Sequence, residues 1–107
     1  MTTQPDHLLI GWWMERLDQL DREIARMAML CQVNVLEPGV IERVLHHDES
    51  VCGTANPAAF RKLHDLLVMH FLVRKRTVED VGQAQTIEIE QHVVEELKKL
   101  LDGQPVH

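Results

Sequence analysis

The sequence predicts an all-α fold, a small helical bundle of one long N-terminal helix, one short helix and two further helices. The first reason is an apolar stripe between Asp6 and about Asn34 that recurs at alternating spacings of three and four residues, as on one face of a long helix. The second is a composition with no Tyr and 4% aromatic residues, which leaves a core of Leu, Val, Ile and Met suited to helix packing. The stripe consists of Ile10, Trp13, Leu17, Leu20, Ile24, Met27 and Cys31.

The length and charge of the chain limit its domain organisation and its partners. The 107 residues fit one helical domain over 1–107, with 1–5 and 103–107 expected to be flexible. The net charge of −6 with neutral His argues against nucleic acid or an anionic membrane as a partner. No apolar segment approaches membrane-spanning length, and no basic region followed by a long apolar run opens the chain. Two cysteines do not make a disulfide framework, so we expect a cytoplasmic protein.

The first helix is expected to begin after an Asp6 cap and to contact more than its own chain. Trp12 and Met29 fall off the stripe, and a simple helical hairpin would leave Trp12 in water. Because aromatic residues are enriched at interface cores, we predict a homodimer. The predicted interface residues are Trp12, Trp13, Met14, Leu17, Leu20, Ile24, Met29 and Phe71.

The remaining helices follow from breaks in the pattern. Pro38 is expected in the first turn of a short second helix that ends near His47, and a loop over 48–56 leads to Asn56–Pro57, a cap followed by proline. The third helix is apolar nearly all round in its middle, which is typical of a helix central to a core. We expect it to reach Gly82, although Thr77 followed by Asp80 could split it. The fourth helix covers about 84–101, with Glu95 and Lys99 as an ion pair.

The densest group of potential metal ligands lies at the end of the second helix. Imidazole, carboxylate and thiolate groups together suit zinc or another late transition metal. Their spacing matches no established zinc pattern, and a helix C-terminus followed by a solvated acidic loop explains the same residues. The candidate ligands are His46, His47, Asp48, Glu49 and Cys52, and no other cofactor is indicated.

Other chemistry-bearing residues have competing interpretations. His70, in the apolar middle of the third helix, is interpreted as a buried histidine with a hydrogen-bond partner or as a general base in a cleft. The basic run 74–76 is interpreted as a solvated face paired with acidic residues rather than as a nucleic-acid site. Cys31 lies on the stripe and should be buried, whereas Cys52 is expected to be exposed.

The run from Met14 to Ile24 resembles the first helix of the helical chorismate mutase family. That family is also built as long helix, short helix, long helix in an intertwined dimer, but the chain is not assigned to it. It covers only this run, and the end of the predicted helix, Leu30-Cys31-Gln32-Val33, lacks the basic residues that such an enzyme needs for a dicarboxylate. No catalytic residue is carried over.

The function that the sequence favours is a non-enzymatic protein-interaction or regulatory module, a small acidic helical homodimer that binds a partner protein. The alternative is a metal-binding or metal-sensing protein that uses the segment from His46 to Cys52. A third class is a small-molecule enzyme with a cleft near His70. An interaction module predicts an exposed apolar patch, a metal protein predicts converging ligands, and an enzyme predicts a pocket that holds His70 with a second polar group.

Overall fold

A computed structural model describes the backbone of residues 7–102 and the side chains up to residue 99. Over this range the chain is helical, with no strand, which confirms the predicted fold class. The predicted Asp6 cap, the flexible ends 1–5 and 103–107 and the side chain of Leu101 lie outside the described part. The elements are α1 (His7–Cys31), α2 (Val40–Leu45), a 3₁₀ turn (Glu49–Val51), α3 (Pro57–Val81) and α4 (Gln83–Asp102).

Helix α1 lies at the centre of the bundle and packs mainly against α3 and α4. Trp13 contacts Asp80 near one end of α1, and Asp21 contacts His70 further along, so α1 and α3 run antiparallel. The predicted stripe faces inward, because five of its seven members are buried and Ile10 and Leu20 are half-buried.

The buried side chains form two clusters. We call the first the larger cluster, and it surrounds the C-terminal half of α1. Its buried members are Ile24, Met27, Ala28, Cys31, Val33, Val35, Val40, Val44, Ala59, Phe60, Leu63 and Leu67. The smaller cluster lies at the other end of the bundle and consists of Trp13, Leu17, Ile89 and Val93.

Helices α1 and α2 end in the same way, without glycine. Gln32 and His47 adopt left-handed conformations, with φ of 52° and 60°. In α1 the amide of Val33 donates to the Ala28 carbonyl at 2.8 Å, and that of Gln32 donates to the Met29 carbonyl at 3.1 Å. These are the two hydrogen bonds of a Schellman motif, and they satisfy carbonyls that the helix would otherwise leave unpaired.

Helix α3 begins where the sequence predicts. The Asn56 side chain accepts a hydrogen bond from the Ala59 amide at 3.2 Å, and Pro57 occupies the first turn. The helix continues through Thr77, whose buried hydroxyl donates to the Val73 carbonyl at 2.8 Å. The alternative of a split at Thr77 is therefore wrong.

The turn into α4 is made by Gly82 in a left-handed conformation, with φ of 88°. Only glycine adopts this region without steric cost. The Gly82 carbonyl accepts hydrogen bonds from the Thr86 amide at 3.1 Å and from the Thr86 hydroxyl at 2.8 Å. The buried hydroxyl of Thr86 thus has a partner inside its own first turn.

Several finer predictions need correction. Pro38 lies in a turn before α2, which begins at Val40 after a left-handed Gly39. Lys99 contacts Glu96 at 3.5 Å rather than the predicted Glu95, although both the i,i+3 and the i,i+4 neighbour lie on its face of the helix.

None of the helices within 7–102 is long and apolar enough to cross a membrane.

Candidate functional site

The outer face of α3 carries a second heptad pattern, opposite the buried one. Its residues follow the spacing 4-3-4-3-4, and all of them are exposed. Such a pattern places them in one row along a helix of 3.6 residues per turn. We call this row the outer seam, and it consists of Arg61, Asp65, Val68, Leu72, Lys75 and Glu79.

The outer seam is apolar in its middle and charged at both ends. Val68 is 40% exposed and Leu72 is 60% exposed, and exposed Met69 and Phe71 widen the apolar region. The middle of this helix belongs to the core only on its inner side, because α1 and α4 cover only its inner half. An apolar strip of this kind on a small chain indicates an interaction surface.

The charges of the outer seam are arranged antisymmetrically about His70. Asp65 lies five residues before His70 and Lys75 five residues after it. Arg61 lies nine residues before and Glu79 nine residues after. Each acidic member therefore has a basic counterpart at the same distance on the other side of the midpoint.

The eight residues predicted for an interface divide into three groups. Trp13, Leu17 and Ile24 are buried in the core of their own chain, because α3 and α4 cover that side of α1. Met14 and Leu20 are half-buried, so they present only part of their surface. Trp12, Met29 and Phe71 are exposed. No second chain is present to test the interface, so the assignment of all eight residues stays a prediction.

Trp12 is held in place although it is exposed. Its ring meets that of Trp13 edge to face, with centroids 4.6 Å apart. The Arg16 guanidinium carbon lies 4.6 Å from the centroid of the Trp12 ring, within the range of a cation–π contact. The two contacts fix the orientation of the indole on the surface of α1.

The segment predicted as a metal site forms one wall of a cleft against α3. The rings of His47 and His64 stack with centroids 4.2 Å apart and planes inclined by 23°. The cleft has a volume of about 510 Å³ and is lined by His47, Glu49, Pro57, Phe60, Arg61, His64 and Asp65. We call it the histidine cleft. Sequence reasoning missed His64 as a member, because the left-handed turn that directs His47 toward α3 carries no glycine signal.

His64 also contacts the carboxylate of its neighbour in the sequence. Its Nδ1 atom lies 3.2 Å from the Asp65 Oδ1 atom.

The other predicted metal ligands have different partners. Asp48 accepts hydrogen bonds from the Ser50 hydroxyl and amide and from Arg43 Nε, the last at 2.9 Å. The hydrogen bond from the Ser50 side chain, followed by that from Arg43, lowers the pKa of the Asp48 carboxyl to about 2. Cys52 is half-buried against the larger cluster rather than exposed, because the 3₁₀ turn folds back over α1.

Within residues 7–102 no three His, Cys, Asp or Glu side chains form a group that could hold a metal ion. The structure thus does not assemble His46, His47, Asp48, Glu49 and Cys52 into one ligand set. Metal binding by this segment stays a prediction, and a zinc titration of the His47→Ala/Cys52→Ala variant is its test.

His70 shares a small cavity with a second polar group. Its Nδ1 atom lies 2.9 Å from the Asp21 Oδ1 atom, although the ring is not aligned for a hydrogen bond and Nδ1 is buried. The cavity has a volume of about 110 Å³, and its other lining residues are apolar: Ile24, Val35, Leu36, Ile41, Leu67, Val94 and Leu97. His70 thus has a carboxylate neighbour and faces apolar surroundings.

The basic run of α3 is largely paired within the chain, as the sequence indicated. Arg74 Nε lies 2.7 Å from Glu90 Oε2 on α4, and Arg76 Nη1 lies 3.8 Å from Glu79 Oε2.

No family model, curated protein or solved structure matches the chain.

Proposed function

We propose that this protein is a non-enzymatic interaction module that acts as a homodimer, with the outer seams of two α3 helices packed antiparallel. The observation that carries the proposal is the self-complementarity of the outer seam. A two-fold axis at the level of His70 brings each residue opposite the one equally far beyond the midpoint on the other chain. Val68 then meets Leu72 of the second copy.

The same axis pairs opposite charges at both ends of the contact. Arg61 meets the Glu79 position, and Asp65 meets the Lys75 position, each twice by symmetry. A parallel arrangement would place like charges together, which is unfavourable. The charge pattern therefore favours one orientation, while the apolar middle supplies the affinity.

The contact is long enough for specific association. The 18 intervals from Arg61 to Glu79 span about 27 Å of helix at about 1.5 Å per residue. Met69 and Phe71 flank the seam on either side and add apolar surface. A seam of this length is typical of a short antiparallel coiled coil, in which alternating spacings of three and four align the contacts.

The first experiment measures the oligomeric state of the wild type and of Leu72→Asp by sedimentation velocity at micromolar concentration. The wild type should be a dimer. A carboxylate in the middle of the apolar contact should weaken the dimer roughly a hundredfold or more. Ile87→Asp is the matched control, because Ile87 is an exposed apolar residue on α4, and it should leave the dimer intact.

The second experiment tests the orientation by exchanging charges. Arg61→Glu and Glu79→Arg should each weaken the dimer roughly tenfold, because each turns two attractive pairs into repulsive ones. The double variant should recover wild-type affinity, because symmetry restores both pairs. Lys98→Glu and Glu88→Arg make the same charge changes on exposed positions of α4 and should have no effect.

The outcomes separate the parts of the proposal. A monomeric wild type would remove the homodimer. If Leu72→Asp leaves the dimer unchanged, the protein self-associates through another surface, such as the one around Trp12. Loss of dimer in the double exchange would reject the antiparallel register.

The dimer leaves Trp12 and Met29 on α1 as exposed apolar residues for a further protein partner. We propose a cytoplasmic location, because two cysteines do not make the disulfide framework that is typical of small secreted domains.

A second candidate function is the binding of a small molecule beside His70, and it is favoured by the cavity that His70 shares with Asp21. Binding pockets commonly combine apolar walls with a few polar groups that orient the ligand. The cavity has room for a small ring or a short chain with one hydrogen-bonding group.

Phenol is a suitable probe for this candidate. Saturable methyl shifts at Ile24, Leu67 and Leu97 in NMR titrations, with weaker binding in Asp21→Asn, would support it. Met69→Leu, outside the cavity, is the control. Shifts that do not saturate would reject the candidate.

A further inference from the structure

The two cysteines, 21 positions apart in the sequence, meet at the C-terminal end of α1. Cys31 is the last residue of α1 and is fully buried, and Cys52 follows the 3₁₀ turn and packs against the same larger cluster. Each thiol influences the pKa of the other, as expected for neighbouring groups. The sulfur of Cys31 is 4.0 Å from the Asn56 carbonyl oxygen, its acceptor.

Backbone hydrogen bonds hold the segment that carries Cys52 against α1. The Gly53 amide donates to the carbonyls of Cys31 and Gln32 at 3.0 and 3.1 Å, and the Thr54 amide donates to the Cys31 carbonyl at 3.3 Å. Standard backbone dimensions then keep the Cα atoms of the two cysteines within about 8 Å. A disulfide joins Cα atoms about 4.5–7 Å apart, so at most a small closing movement is needed.

Gly53 makes this close approach possible. A Cβ atom at position 53 would lie 2.7 Å from Gln32 Oε1 and 2.8 Å from Gln32 Cβ. No other residue would allow the backbone of the loop to lie so near the end of α1. The position therefore keeps the backbone next to Cys52 close to the end of α1.

We propose that Cys31 and Cys52 form a reversible intrachain disulfide, with Cys52 as the thiol that reacts first and Cys31 as the resolving thiol. The oxidant class is a low-molecular-weight disulfide, such as glutathione disulfide. The order follows from access, because Cys52 is half-buried whereas Cys31 is fully buried. The site is independent of the outer seam and of the proposed dimer.

The reaction balances in two exchange steps. The Cys52 thiolate attacks one sulfur of glutathione disulfide, which forms a mixed disulfide and releases one glutathione thiolate. The Cys31 thiol loses its proton to solvent, its sulfur attacks the Cys52 sulfur, and the second glutathione thiolate leaves. The protein loses two protons and two electrons, and one glutathione disulfide becomes two glutathione molecules.

Burial raises the pKa of both thiols, and Glu49 and Asp48 raise that of Cys52 further, while Cys31 lowers it. Because the thiolate is the attacking form, exchange is faster at mildly alkaline pH than at neutral pH.

The experiment treats the full chain with excess glutathione disulfide at mildly alkaline pH and follows intact mass, free thiols and Tm. The intact mass of the wild type should be that of one chain lighter by two hydrogens. No free thiol should remain. Because the bond closes a loop of 21 residues, Tm should rise by roughly 5–15 °C, and dithiothreitol should reverse the change.

Single variants distinguish the order of the steps. Cys31→Ala should stop at a glutathione adduct on Cys52, whereas Cys52→Ser should keep an unreacted Cys31 under the same conditions. Gly53→Ala should slow ring closure, so that the mixed disulfide accumulates.

Three results in the wild type would each overturn the proposal. They are disulfide-linked pairs of chains, two glutathione adducts per chain, or two unreacted thiols. An adduct first on Cys31 would overturn the assigned order. Mass spectrometry separates these products even where a variant is less stable.

Discussion

The two ends of the bundle are stabilised in different ways. The larger cluster buries twelve residues drawn from α1, α2, α3 and the connection between α1 and α2, and backbone hydrogen bonds from Gly53 and Thr54 close it. The smaller cluster buries four, and it is flanked by two buried threonines and by the pairs Trp13–Asp80 and Arg74–Glu90. One end thus depends on apolar volume, and the other depends more on polar contacts between helices.

This difference predicts which part of the chain should unfold locally first. Polar contacts at partly exposed positions contribute little free energy each, whereas buried apolar volume contributes much more. Amides of α4 should therefore exchange hydrogen faster than those of α1 and α3 around Leu63.

The largest effect is expected from a cavity in the larger cluster. Leu63→Ala should lower the free energy of unfolding by roughly 3–5 kcal/mol, because Leu63 is fully buried among well-fixed neighbours. Leu17→Ala in the smaller cluster should cost less, roughly 2–3 kcal/mol, since the neighbours there can relax. Urea denaturation measures both, with exposed Ile87→Ala on α4, outside the proposed dimer contact, as the control. Equal losses would erase the distinction between the two ends.

A smaller loss should follow from loosening the closure of the larger cluster. In Gly53→Ala the added methyl group overlaps Gln32, so either the loop or the Gln32 side chain must move. We expect a loss of roughly 1–3 kcal/mol in chemical denaturation. Thr54→Ala keeps the backbone hydrogen bond without adding volume near Gln32 and should be close to neutral. A neutral Gly53→Ala would show that the loop is not closely fitted to α1.

The polar contact at the other end should contribute less still. Trp13 Nε1 donates to Asp80 Oδ2 at 3.1 Å, and Asp80→Ala removes the acceptor. The cost should be about 1 kcal/mol in thermal or urea unfolding, because Asp80 is exposed and water can replace it. Glu88→Ala, a carboxylate elsewhere on α4, is the control. A loss as large as that of Leu17→Ala would mean that this end depends on the hydrogen bond rather than on packing.

The smallest effect should be a local one at Asp48, beside the larger cluster. Its pKa is lowered from 3.8 to about 2 in the folded chain. A depressed carboxyl pKa stabilises the fold above the unfolded value, and the contribution is lost as pH falls from about 4 to about 2. Carbon-13 NMR titration of the Asp48 carboxyl should report this midpoint, and Ser50→Ala should move it upward. If Ser50→Ala leaves the Asp48 pKa unchanged, the lowered pKa is due to Arg43.

The helices could be predicted from the sequence because their signals are local. The stripe of α1, the Asn56 cap and the stop at Gly82 each depend on residues within a few turns. Contacts across the fold could not be predicted in this way. His47 approaches His64, and Cys52 approaches Cys31, only after non-glycine residues turn the chain in left-handed conformations that no sequence pattern marked.

The interface residues show the same limit. Spacing identified the apolar stripe of α1, but it could not say whether α3 and α4 or a second chain would cover it. Trp13 and Leu17 are covered by the chain itself. The outer seam was not predicted, because Val68 and Leu72 lie within an apolar run. In such a run the sequence does not distinguish exposed positions from the buried ones beside them.

The unbroken course of α3 links the histidine cleft to the proposed dimer. The cleft lies near the N-terminal end of α3, because His64 precedes His70 by six residues. Its lining includes Arg61 and Asp65, which also belong to the outer seam. In an antiparallel pair of α3 helices these two residues would face the Glu79 and Lys75 positions of the second copy. Any molecule that occupied the cleft would then change the affinity of the dimer, and by linkage dimer formation would change the binding of that molecule.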